Sequence, residues 1–345
     1  MPDSSLLSSR KGDHIRINLD ENVHSSITTG LEAYQFIPKA IPEINLEDVD
    51  ISQMLLMKKL HAPILISSMT GGTPEAEKVN RNLAVAAREC GVAIGVGSQR
   101  AAIENPALAK TFSIRAYAPD ALLFANLGAV QLNYGYSVDE CRRAVEMIGA
   151  DALFLHLNAL QEAVQPEGNT RFSGLLDKIE KICRELDIPV FIKEVGWGIS
   201  SEDARRLAST GITGIDVAGA GGTSWSQVEK YRIEAPHRAR IAGTFQGWGL
   251  PTALSLELVH AAVPDMILFA SGGLRDGLDV AKCIALGATL GGMASPILKA
   301  SVISEEETVL TIKEIIEEIR ICLFACGINN LTSLRNNSSI LVKRG

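Results

Sequence analysis

A short segment of this chain carries four polar side chains within seven residues. They are the imidazole of His156, the amides of Asn158 and Gln161, and the carboxylate of Glu162. The run Ala152–Leu155 directly before them is apolar on both faces, which is typical of a parallel strand covered on both sides. Buried polar side chains need partners, and four together are costly to satisfy without a ligand. The segment therefore predicts a ligand site, the alternative being an ordinary strand end with solvated residues.

The composition is typical of a globular protein and excludes some classes of partner. Of the 345 residues, 46% are hydrophobic and 21% are charged, and no apolar run reaches the roughly 18 residues that a membrane helix needs. The N-terminus lacks the basic-then-apolar order of a secretion signal, so we expect a cytoplasmic protein. The net charge of −7 argues against general nucleic-acid binding, which relies on a basic surface. We expect neither a membrane nor a nucleic acid as a partner.

The six cysteines are predicted to be reduced and mostly buried. They are scattered through apparently helical segments and include no Cys-x-x-Cys pair. Two of them lie one helical turn apart, which leaves a redox or metal pair as an alternative, but their apolar surroundings favour packing. These two are Cys322 and Cys326, and the others are Cys90, Cys141, Cys183 and Cys283.

From residue 60 onward, β-rich runs alternate with helix-length segments, and there are eight such runs. Strict alternation predicts parallel strands with right-handed crossovers, and eight units are the number that closes a barrel. We therefore expect an α/β fold, a (β/α)8 TIM barrel. A doubly wound open sheet is less favoured, because glycine and polar residues follow nearly every run. The runs are Pro63–Met69, Ala93–Gly97, Ala121–Asn126, Ala152–His156, Pro189–Lys193, Gly214–Ala218, Met266–Ser271 and Ala288–Met293.

The chain divides around this barrel into three parts. We expect an N-terminal extension over residues 1–60, the barrel over 61–304, and a C-terminal helix and tail over 305–345. Amphipathic stretches between the strands predict the outer helices. They are Glu75–Cys90, Val138–Ile148, Leu175–Leu186, Ser201–Thr210, Thr252–Val263 and Leu278–Leu286, followed by Glu305–Cys326 after the barrel.

The residues after each strand should converge, because the active site of such a barrel lies at the carboxyl ends of its strands. The last two strand ends, Ser271–Arg275 and Gly291–Ser295, each place a Gly-Gly pair before an apparent helix. Exposed backbone N–H groups and a helix N-terminus favour an anion. These two segments therefore predict the phosphate grip that is common after strands seven and eight.

Lys193 ends an apolar strand and needs either a counter-charge or an anionic ligand, since an isolated ammonium group in the barrel mouth is costly. A salt bridge to Glu194 or Asp216 is the alternative to a ligand. A central lysine together with a late phosphate grip suits flavin mononucleotide (FMN), because a cation near the flavin stabilises its anionic reduced ring.

At this point the motifs resemble one family over almost the whole chain. The chain is similar to type 2 isopentenyl diphosphate isomerases. This resemblance implies an FMN-dependent, magnesium-requiring enzyme. The motifs are Arg10-Lys-Gly-Asp-His14, Met69-Thr-Gly-Gly72, Gly97-Ser-Gln-Arg100, Ala125-Asn-Leu-Gly128, His156-Leu-Asn-Ala-Leu-Gln-Glu162, Pro166-Glu-Gly168, Lys193-Glu-Val-Gly196, Ala218-Gly-Ala-Gly-Gly-Thr-Ser-Trp225 and Ala270-Ser-Gly-Gly-Leu-Arg275.

The resemblance also implies the reaction and its setting. The enzyme would interconvert isopentenyl diphosphate and dimethylallyl diphosphate without net oxidation, with NAD(P)H keeping the flavin reduced, and would form a homotetramer or homo-octamer. Two positions depart from the family pattern, because Asn169 and Gln246 stand where an acidic residue is usual. The implied flavin contacts are Ser68, Met69, Thr70, Ser98, Asn126, Lys193, Thr223, Gly273, Leu274, Arg275, Ala294 and Ser295.

The resemblance implies a substrate and metal site as well, with Glu162 as the magnesium ligand and Gln161, His156 and Asn158 as the catalytic residues. The implied substrate contacts are Arg10, Lys11, His14, Ser98, Gln99, Arg100, His156, Asn158 and Gln161.

Elementary chemistry supports these roles. Arginine offers a bidentate fork to a diphosphate, and Mg²⁺ often uses one carboxylate plus substrate phosphates. An unactivated C–H bond is too weakly acidic to be broken first, so protonation of the alkene must lead. A reduced anionic flavin stacked beside the cationic carbon would stabilise it. An amide titrates far from neutral pH, so we expect Gln161 to orient or relay the proton rather than to act as an acid or base.

Three other readings are open. An FMN-dependent 2-hydroxy-acid oxidase would share the lysine and the phosphate grip, but it needs a histidine after the sixth strand, and Ala218–Thr223 contains none. A dehydrogenase of inosine monophosphate would need a nucleophilic cysteine on a barrel loop, which no cysteine here matches. A non-catalytic flavoprotein would not need the groups proposed for the substrate and the metal.

Overall fold

A closed barrel of eight parallel strands forms the centre of the computed structural model, which describes residues 4–335, 337 and 339–344, with side chains from residue 12 onward. Each strand pairs with the next in the chain, and the last pairs with the first. The predicted (β/α)8 barrel is confirmed, and an open sheet is excluded. The strands are β1 (Ile64–Ile66), β2 (Ala93–Gly95), β3 (Leu123–Gly128), β4 (Ala152–His156), β5 (Val190–Lys193), β6 (Gly214–Asp216), β7 (Ile267–Ser271) and β8 (Leu290–Met293).

Helices cover the outside of the barrel and shape its mouth. The seven helices predicted from periodicity are present, each with bounds within two residues of the prediction. The helices are α1 (Ser4–Asp20), α2 (Pro74–Cys90), α3 (Arg100–Glu104), α4 (Val138–Ile148), α5 (Ala159–Val164), α6 (Leu175–Glu185), α7 (Ser201–Ala208), α8 (Trp225–Arg232), α9 (Pro236–Thr244), α10 (Thr252–Ala262), α11 (Gly277–Ala285), α12 (Ser295–Ile303), α13 (Glu305–Ala325) and α14 (Leu331–Arg335). Short 3₁₀ helices span Leu31–Ala33, Leu46–Asp48, Pro106–Thr111 and Ala129–Tyr134.

Two small antiparallel ribbons lie outside the barrel, and neither was predicted. Strand Gln53–Leu55 pairs with Lys58–Leu60 as a hairpin. Strand Tyr34–Phe36 pairs with Leu341–Lys343, which joins the N-terminal part of the chain to its C-terminal end.

The N-terminal segment is held against the barrel mouth. The amide N–H of Ser25 donates to the carbonyl of Gly222 at 2.8 Å, and that of Ser224 donates to Val23 at 2.8 Å. Ile17 and Val23 are buried against Val228. Helix α1 therefore lies beside α8. Within the described residues, no helix combines the length and apolarity required to cross a bilayer.

The cysteines match the prediction of reduced, mostly buried thiols. All six are free, and all but Cys183 are buried. Burial raises the pKa of Cys90 and of Cys183 to about 11. Cys322 and Cys326 belong to the main apolar core, so packing accounts for them.

A layer of four phenylalanines fills the barrel interior below the mouth. Phe124, Phe154, Phe191 and Phe269 come from different strands, and none has measurable exposure. The rings of Phe124 and Phe154 stack at 4.5 Å, and those of Phe191 and Phe269 at 5.1 Å. A Cβ at Gly214 would lie 2.4 Å from the Phe191 ring, so glycine makes room for this layer.

We expect the substitution Phe191→Ala to lower the free energy of unfolding by about 3–5 kcal/mol, because it leaves a cavity in a close-packed layer. Denaturant unfolding followed by circular dichroism measures the change. Met57→Ala is the control, since Met57 is 93% exposed and should shift stability by less than about 0.5 kcal/mol. A Phe191→Ala protein as stable as the control would contradict the packing argument.

Candidate active site

A large cavity opens at the carboxyl ends of the barrel strands and has a volume of about 640 Å³. This volume lies within the usual range for small-molecule sites. Lys193 and Gln161 lie on the same rim and line the same cavity, as the sequence analysis required. The predicted site residues that line it are His14, Ser68, Met69, Thr70, Ser98, Arg100, Asn126, His156, Asn158, Gln161, Glu162, Lys193, Thr223, Gly273, Leu274, Arg275, Ala294 and Ser295.

Three predicted substrate contacts fall outside this set. The side chains of Arg10 and Lys11 lie outside the described residues, although both positions belong to α1. Gln99 is fully buried, and its side-chain amide donates to the carbonyl of Ala144 at 2.7 Å while its Oε1 accepts from the backbone of Asn126 at 2.9 Å. The Gln99 side chain therefore points into the packing beneath the site, and its contact with the substrate stays a prediction.

A chain of hydrogen bonds joins the cavity residues Asn158 and Gln161 to the buried Glu229. Asn158 Nδ2 donates to Gln161 Oε1 at 3.2 Å, and Gln161 Nε2 donates to Glu229 Oε1 at 2.9 Å. The same Glu229 oxygen lies 3.2 Å from His14 Nε2, and Arg232 Nη1 donates to the other oxygen at 2.5 Å. An ionised Glu229 can only accept hydrogen bonds, so the Gln161 amide must turn its NH₂ group toward Glu229 and its oxygen toward Asn158.

Glu229 is ionised throughout the physiological range. Complete burial alone would raise its pKa, but the hydrogen bond and charge of His14, the charge of Arg232 and the hydrogen bond from Gln161 outweigh burial and lower the pKa to about 2. Glu229 is therefore a fixed anion that positions its neighbours, because a group with so low a pKa holds no proton to deliver near neutral pH.

His14 brings the N-terminal helix into the site. Besides its contact with Glu229, the imidazole lies edge-on to the indole ring of Trp225, with the ring centres 5.1 Å apart. Both rings line the cavity. The helix that carries His14 also carries positions 10 and 11.

Glu162 is buried, and both of its carboxylate oxygens accept hydrogen bonds from neighbouring groups. Its Oε1 accepts from Asn158 Nδ2 at 2.9 Å, and its Oε2 accepts from Gln165 Nε2 at 2.6 Å and from the backbone N–H of Asn169 at 2.5 Å. A carboxylate offers about four acceptor positions, so these three bonds leave room for one metal bond. Within the described residues, no cluster of three or more His, Cys, Asp or Glu side chains could hold a metal unaided.

Sheet register places three chemically active side chains side by side. His156 pairs with Lys193, and Lys193 pairs with Asp216, on neighbouring strands β4, β5 and β6. His156 Nδ1 lies 2.8 Å from Asn126 Oδ1, while Asn126 Nδ2 donates to the carbonyl of Val96. Because that bond fixes the Asn126 oxygen as the acceptor, His156 carries a proton on Nδ1.

Lys193 is held by its own strand and by a buried aspartate. Its Nζ donates to the main-chain carbonyl of Glu194 at 2.9 Å and lies 3.7 Å from Asp216 Oδ2. The second Asp216 oxygen accepts from Ser271 Oγ at 2.8 Å. Glu194 binds three backbone N–H groups of the following turn, yet its burial raises its pKa to about 7. Asp216 is thus the counter-charge that the alternative reading of Lys193 named.

Several cavity residues have polar groups free for a ligand such as a flavin. The hydroxyl oxygens of Ser67 and Ser68 and the Oδ1 of Asn158 are buried and have no hydrogen-bond partner in the described chain, and all three residues line the cavity. Buried polar atoms of this kind need a partner. Gly273 has a φ of 81°, and a Cβ there would lie 2.6 Å from the backbone of Gly221. The loop therefore exposes bare backbone to the cavity.

The two predicted phosphate loops differ in one respect. Helix α12 begins after Ala294 without a side-chain cap, so its N–H groups suit an anion. Helix α11 begins after Asp276, whose side chain accepts from Asp279, and Asp279 also binds Arg275. Carboxylates already occupy the N-terminus of α11, so the backbone N–H groups of the Gly-Gly loop before it are what that segment offers to the predicted phosphate grip.

Several residues in the cavity wall or bonded to it were missed from the sequence. Glu229 and Arg232 lie on α8, where they resemble the charges of a solvated helix face, and only the fold turns them inward. Trp225 stood in a family motif without a role, and Lys299 follows the last phosphate loop by four residues. Asp216, which terminates β6, was named from the sequence only as a possible salt-bridge partner of Lys193.

Solved structures of two oxidases share the architecture. The chain aligns with a lactate oxidase of Pediococcus acidilactici with a TM-score of 0.67 and 17% identity, covering 99% of this chain and 95% of that one. It aligns with a mandelate oxidase variant with a TM-score of 0.62 and 19% identity, covering 96% and 94%. At these identities the likeness concerns the fold.

The fold and the site define the class of FMN-dependent barrel proteins, since the family model described as FMN-dependent dehydrogenase matches residues 156–341. Two relatives, from Nostoc sp. and Oceanobacillus iheyensis, are both named isopentenyl-diphosphate delta-isomerase. The first is 53% identical over 339 residues, covering 98% of this chain and 97% of the relative, and the second is 46% identical over 337 residues, covering 97% of each. The chain belongs to the isopentenyl-diphosphate delta-isomerase family, which confirms the resemblance noted from its motifs.

Proposed function

We propose that this protein interconverts isopentenyl diphosphate and dimethylallyl diphosphate, with reduced FMN and Mg²⁺ bound in the cavity. The observation that carries the proposal is the hydrogen-bonded chain from Asn158 through Gln161 to the buried Glu229. Asn158 and Gln161 line the same cavity as Lys193. Family membership supports the substrate pair. The reaction moves a proton between the two ends of an allylic system, so it oxidises nothing.

The diphosphate would bind beneath the N-terminal helix. Arg100 lines the cavity, and its side chain is only 13% exposed, so its charge acts where water screens little. His14 also lines the cavity and lies 3.2 Å from Glu229. We assign Arg10 and Lys11 to the same anion, because they precede His14 on α1. His156 and Ser98 complete this set with neutral donors.

The alkene would lie over the amide chain. Gln161 is held at both ends, by Asn158 and by the Glu229 carboxylate, so its amide cannot rotate without breaking two bonds. An amide held in this way orients a transferring proton or a water that carries it, which is the positioned proton-transfer role. Lys193 supplies a cation that favours an anionic ligand, while Asp216 keeps this lysine ammonium compensated inside the barrel.

FMN would occupy the part of the cavity lined by the unpartnered serines and the glycine loops. When bound and reduced, it supplies an electron-rich ring beside the reacting carbons, where positive charge develops. The N-terminus of α12, with Ala294 and Ser295, would hold the phosphate. Lys193, Thr223 and Gly273 would line the ring and ribityl chain.

Magnesium would be shared between the protein and the substrate. Glu162 is the one carboxylate that lines the cavity among the described residues, and Mg²⁺ usually combines one or two carboxylates with phosphate oxygens and water. Asn158, Gln165 and the Asn169 amide orient the Glu162 carboxylate. We therefore expect tight Mg²⁺ binding only when a diphosphate is present.

The substitution Glu162→Gln should raise the Mg²⁺ concentration for half-maximal activity by about tenfold or more. An amide is a poorer magnesium ligand than a carboxylate, and the three groups around Glu162 donate to two acceptor oxygens, of which glutamine has only one. Initial rates over a magnesium series measure the shift. Glu202→Gln, on the exposed side of α7, is the control. An unchanged magnesium dependence would remove Glu162 as the ligand.

We also propose that NAD(P)H reduces the flavin, that the chain assembles as a homotetramer or homo-octamer, and that it works in the cytoplasm. The family resemblance supports the first two of these proposals. Bleaching of the flavin absorbance by NADH and by NADPH under argon tests the reductant. Light scattering coupled to gel filtration tests the assembly.

The activity itself has a direct test. Purified protein is incubated with isopentenyl diphosphate, Mg²⁺ and dithionite-reduced FMN, and dimethylallyl diphosphate is detected by NMR. Formation of the product only with reduced flavin supports the proposal. A yellow protein that forms no product, or turnover that survives removal of the flavin, contradicts it. The 2-hydroxy-acid oxidase alternative has no support at the site, because Ala218–Thr223 after β6 contains no histidine.

A further inference from the structure

The loop between α5 and α6 contacts both of the charged groups proposed to bind the diphosphate and its metal. Asn169 lies in this loop. Its side-chain Oδ1 accepts from Arg100 Nη1 at 3.0 Å and from Gln131 Nε2 at 3.1 Å. Its backbone N–H donates to Glu162 Oε2. One residue therefore touches an anion-binding arginine and a metal-binding carboxylate at the same time.

The orientation of the Asn169 amide is fixed by chemistry. Arginine has only donors, so Asn169 must present its oxygen to Arg100. Arg100 Nε is already bound to Glu104 Oε1 at 2.8 Å, so the two contacts hold two of the three guanidinium nitrogens. The third, Nη2, has no partner within the described chain and stays available for an anion at the cavity. A guanidinium held on two sides presents its remaining edge in one direction.

The loop itself is held in place at three points. Glu167 accepts from Arg232 Nη2 at 3.1 Å. A Cβ at Gly168 would lie 1.7 Å from the carbonyl oxygen of Glu162, so the backbone passes directly against α5 at this position. The Asn169 contacts with Glu162 and Arg100 complete the attachment. The side-chain oxygen of Asn169 is thus fixed relative to the Glu162 carboxylate.

We propose that Asn169 is a positioning residue for diphosphate binding, which sets Arg100 and the Glu162 carboxylate at a fixed separation so that one diphosphate–magnesium unit meets both. This inference deepens the proposed function and rests on it. The group that matters is the side-chain acceptor, since any residue with a backbone N–H would bind Glu162. A carboxylate at position 169 would also accept from Arg100 and Gln131, whereas a methyl group would not.

Three variants test the proposal: Asn169→Ala, Asn169→Asp and the control Thr170→Ala at the exposed neighbouring position. We expect Asn169→Ala to raise the KM for isopentenyl diphosphate about tenfold, with kcat changed less than about twofold, because one oriented contact to a charged partner is lost. Asn169→Asp should stay within about threefold of the wild type, and the control should match it. Calorimetric titration with inorganic pyrophosphate and Mg²⁺ should show the same order of affinities.

Each outcome decides the proposal. An Asn169→Ala protein with unchanged KM and pyrophosphate affinity overturns it, as does an Asn169→Asp protein as impaired as the alanine variant. A lower melting temperature with unchanged affinity assigns Asn169 to loop stability alone and also overturns it. A wild-type protein that makes no dimethylallyl product defeats the proposed function, and the pyrophosphate titration still decides the role of Asn169.

Discussion

Gln161→Ala should lower kcat by roughly 100-fold or more, the usual contribution of a positioned proton-transfer group. The substitution removes the one side chain that joins Asn158 to Glu229. The binding groups for flavin and diphosphate stay in place, so we expect the KM for isopentenyl diphosphate to change far less than kcat. Steady-state rates with reduced FMN, together with the flavin content of the purified protein, measure both effects.

Gln227→Ala is a matched control for this result. Gln227 is also a buried glutamine whose amide is hydrogen bonded, but its partners are Ser226 and carbonyl groups near the end of α9, and it does not line the cavity. Any loss of stability from an absent glutamine should therefore appear in both variants, whereas loss of kcat should appear only at position 161. Near-normal turnover of Gln161→Ala would remove this residue from the mechanism.

The barrel was predictable because its signals are local and repeated. Eight apolar runs with helix-length spacers leave few other topologies, and the buried faces of β3, β4 and β5 need no information from distant residues. The rule that functional residues follow strands then placed His156 and Lys193 correctly, since parallel strands bring their carboxyl ends to one rim.

The rule that functional residues follow strands does not specify side-chain direction where a turn, rather than a strand, orients the side chain. Ser98, Gln99 and Arg100 are consecutive, and all three were expected at the substrate. Gln99 precedes α3, and the turn there directs it toward α4 while Arg100 faces the cavity. Register along such a turn depends on tertiary packing, which residue type alone does not specify.

The charged residues on α8 are a second case in which tertiary packing, rather than residue type, decides where a side chain lies. Glu229 and Arg232 have the spacing of an ordinary exposed ion pair on a helix. They instead face the interior beside the cavity residues His14 and Gln161. Glu229 is fully buried, lies 3.2 Å from His14 on α1, accepts from Gln161 on α5 and pairs with Arg232. Their role follows from long-range contacts across more than sixty residues of sequence. By contrast, the closed N-terminus of α11 was readable, because Asp276 is a typical N-cap residue.

Glu229 should contribute to folding as well as to catalysis, and the two effects have different pH dependence. Its folded pKa of about 2 lies below the unfolded value of 4.5. A depressed pKa stabilises the folded state above the unfolded pKa, and this stabilisation is lost as the pH falls from 4.5 through about 2. A glutamine at this position cannot titrate, so the stability difference between wild type and variant should shrink over that acid range.

We expect Glu229→Gln to lower kcat about 100-fold and to lower the free energy of unfolding at pH 7 by about 3–5 kcal/mol. The first effect follows because the Gln161 amide loses the anion that fixes its orientation. The second follows because Arg232, whose side chain is only 12% exposed, loses its buried counter-charge and keeps only the contact with the exposed Glu167. Glu317→Gln is the matched control, since Glu317 and Arg320 have the same i,i+3 spacing on α13 but are 47% and 29% exposed, and such a pair contributes less than about 1 kcal/mol. Steady-state rates and denaturation curves at pH 7 and pH 4 measure both effects. Equal losses of kcat and of unfolding free energy in the two variants would show that Glu229 contributes no more than an exposed charge.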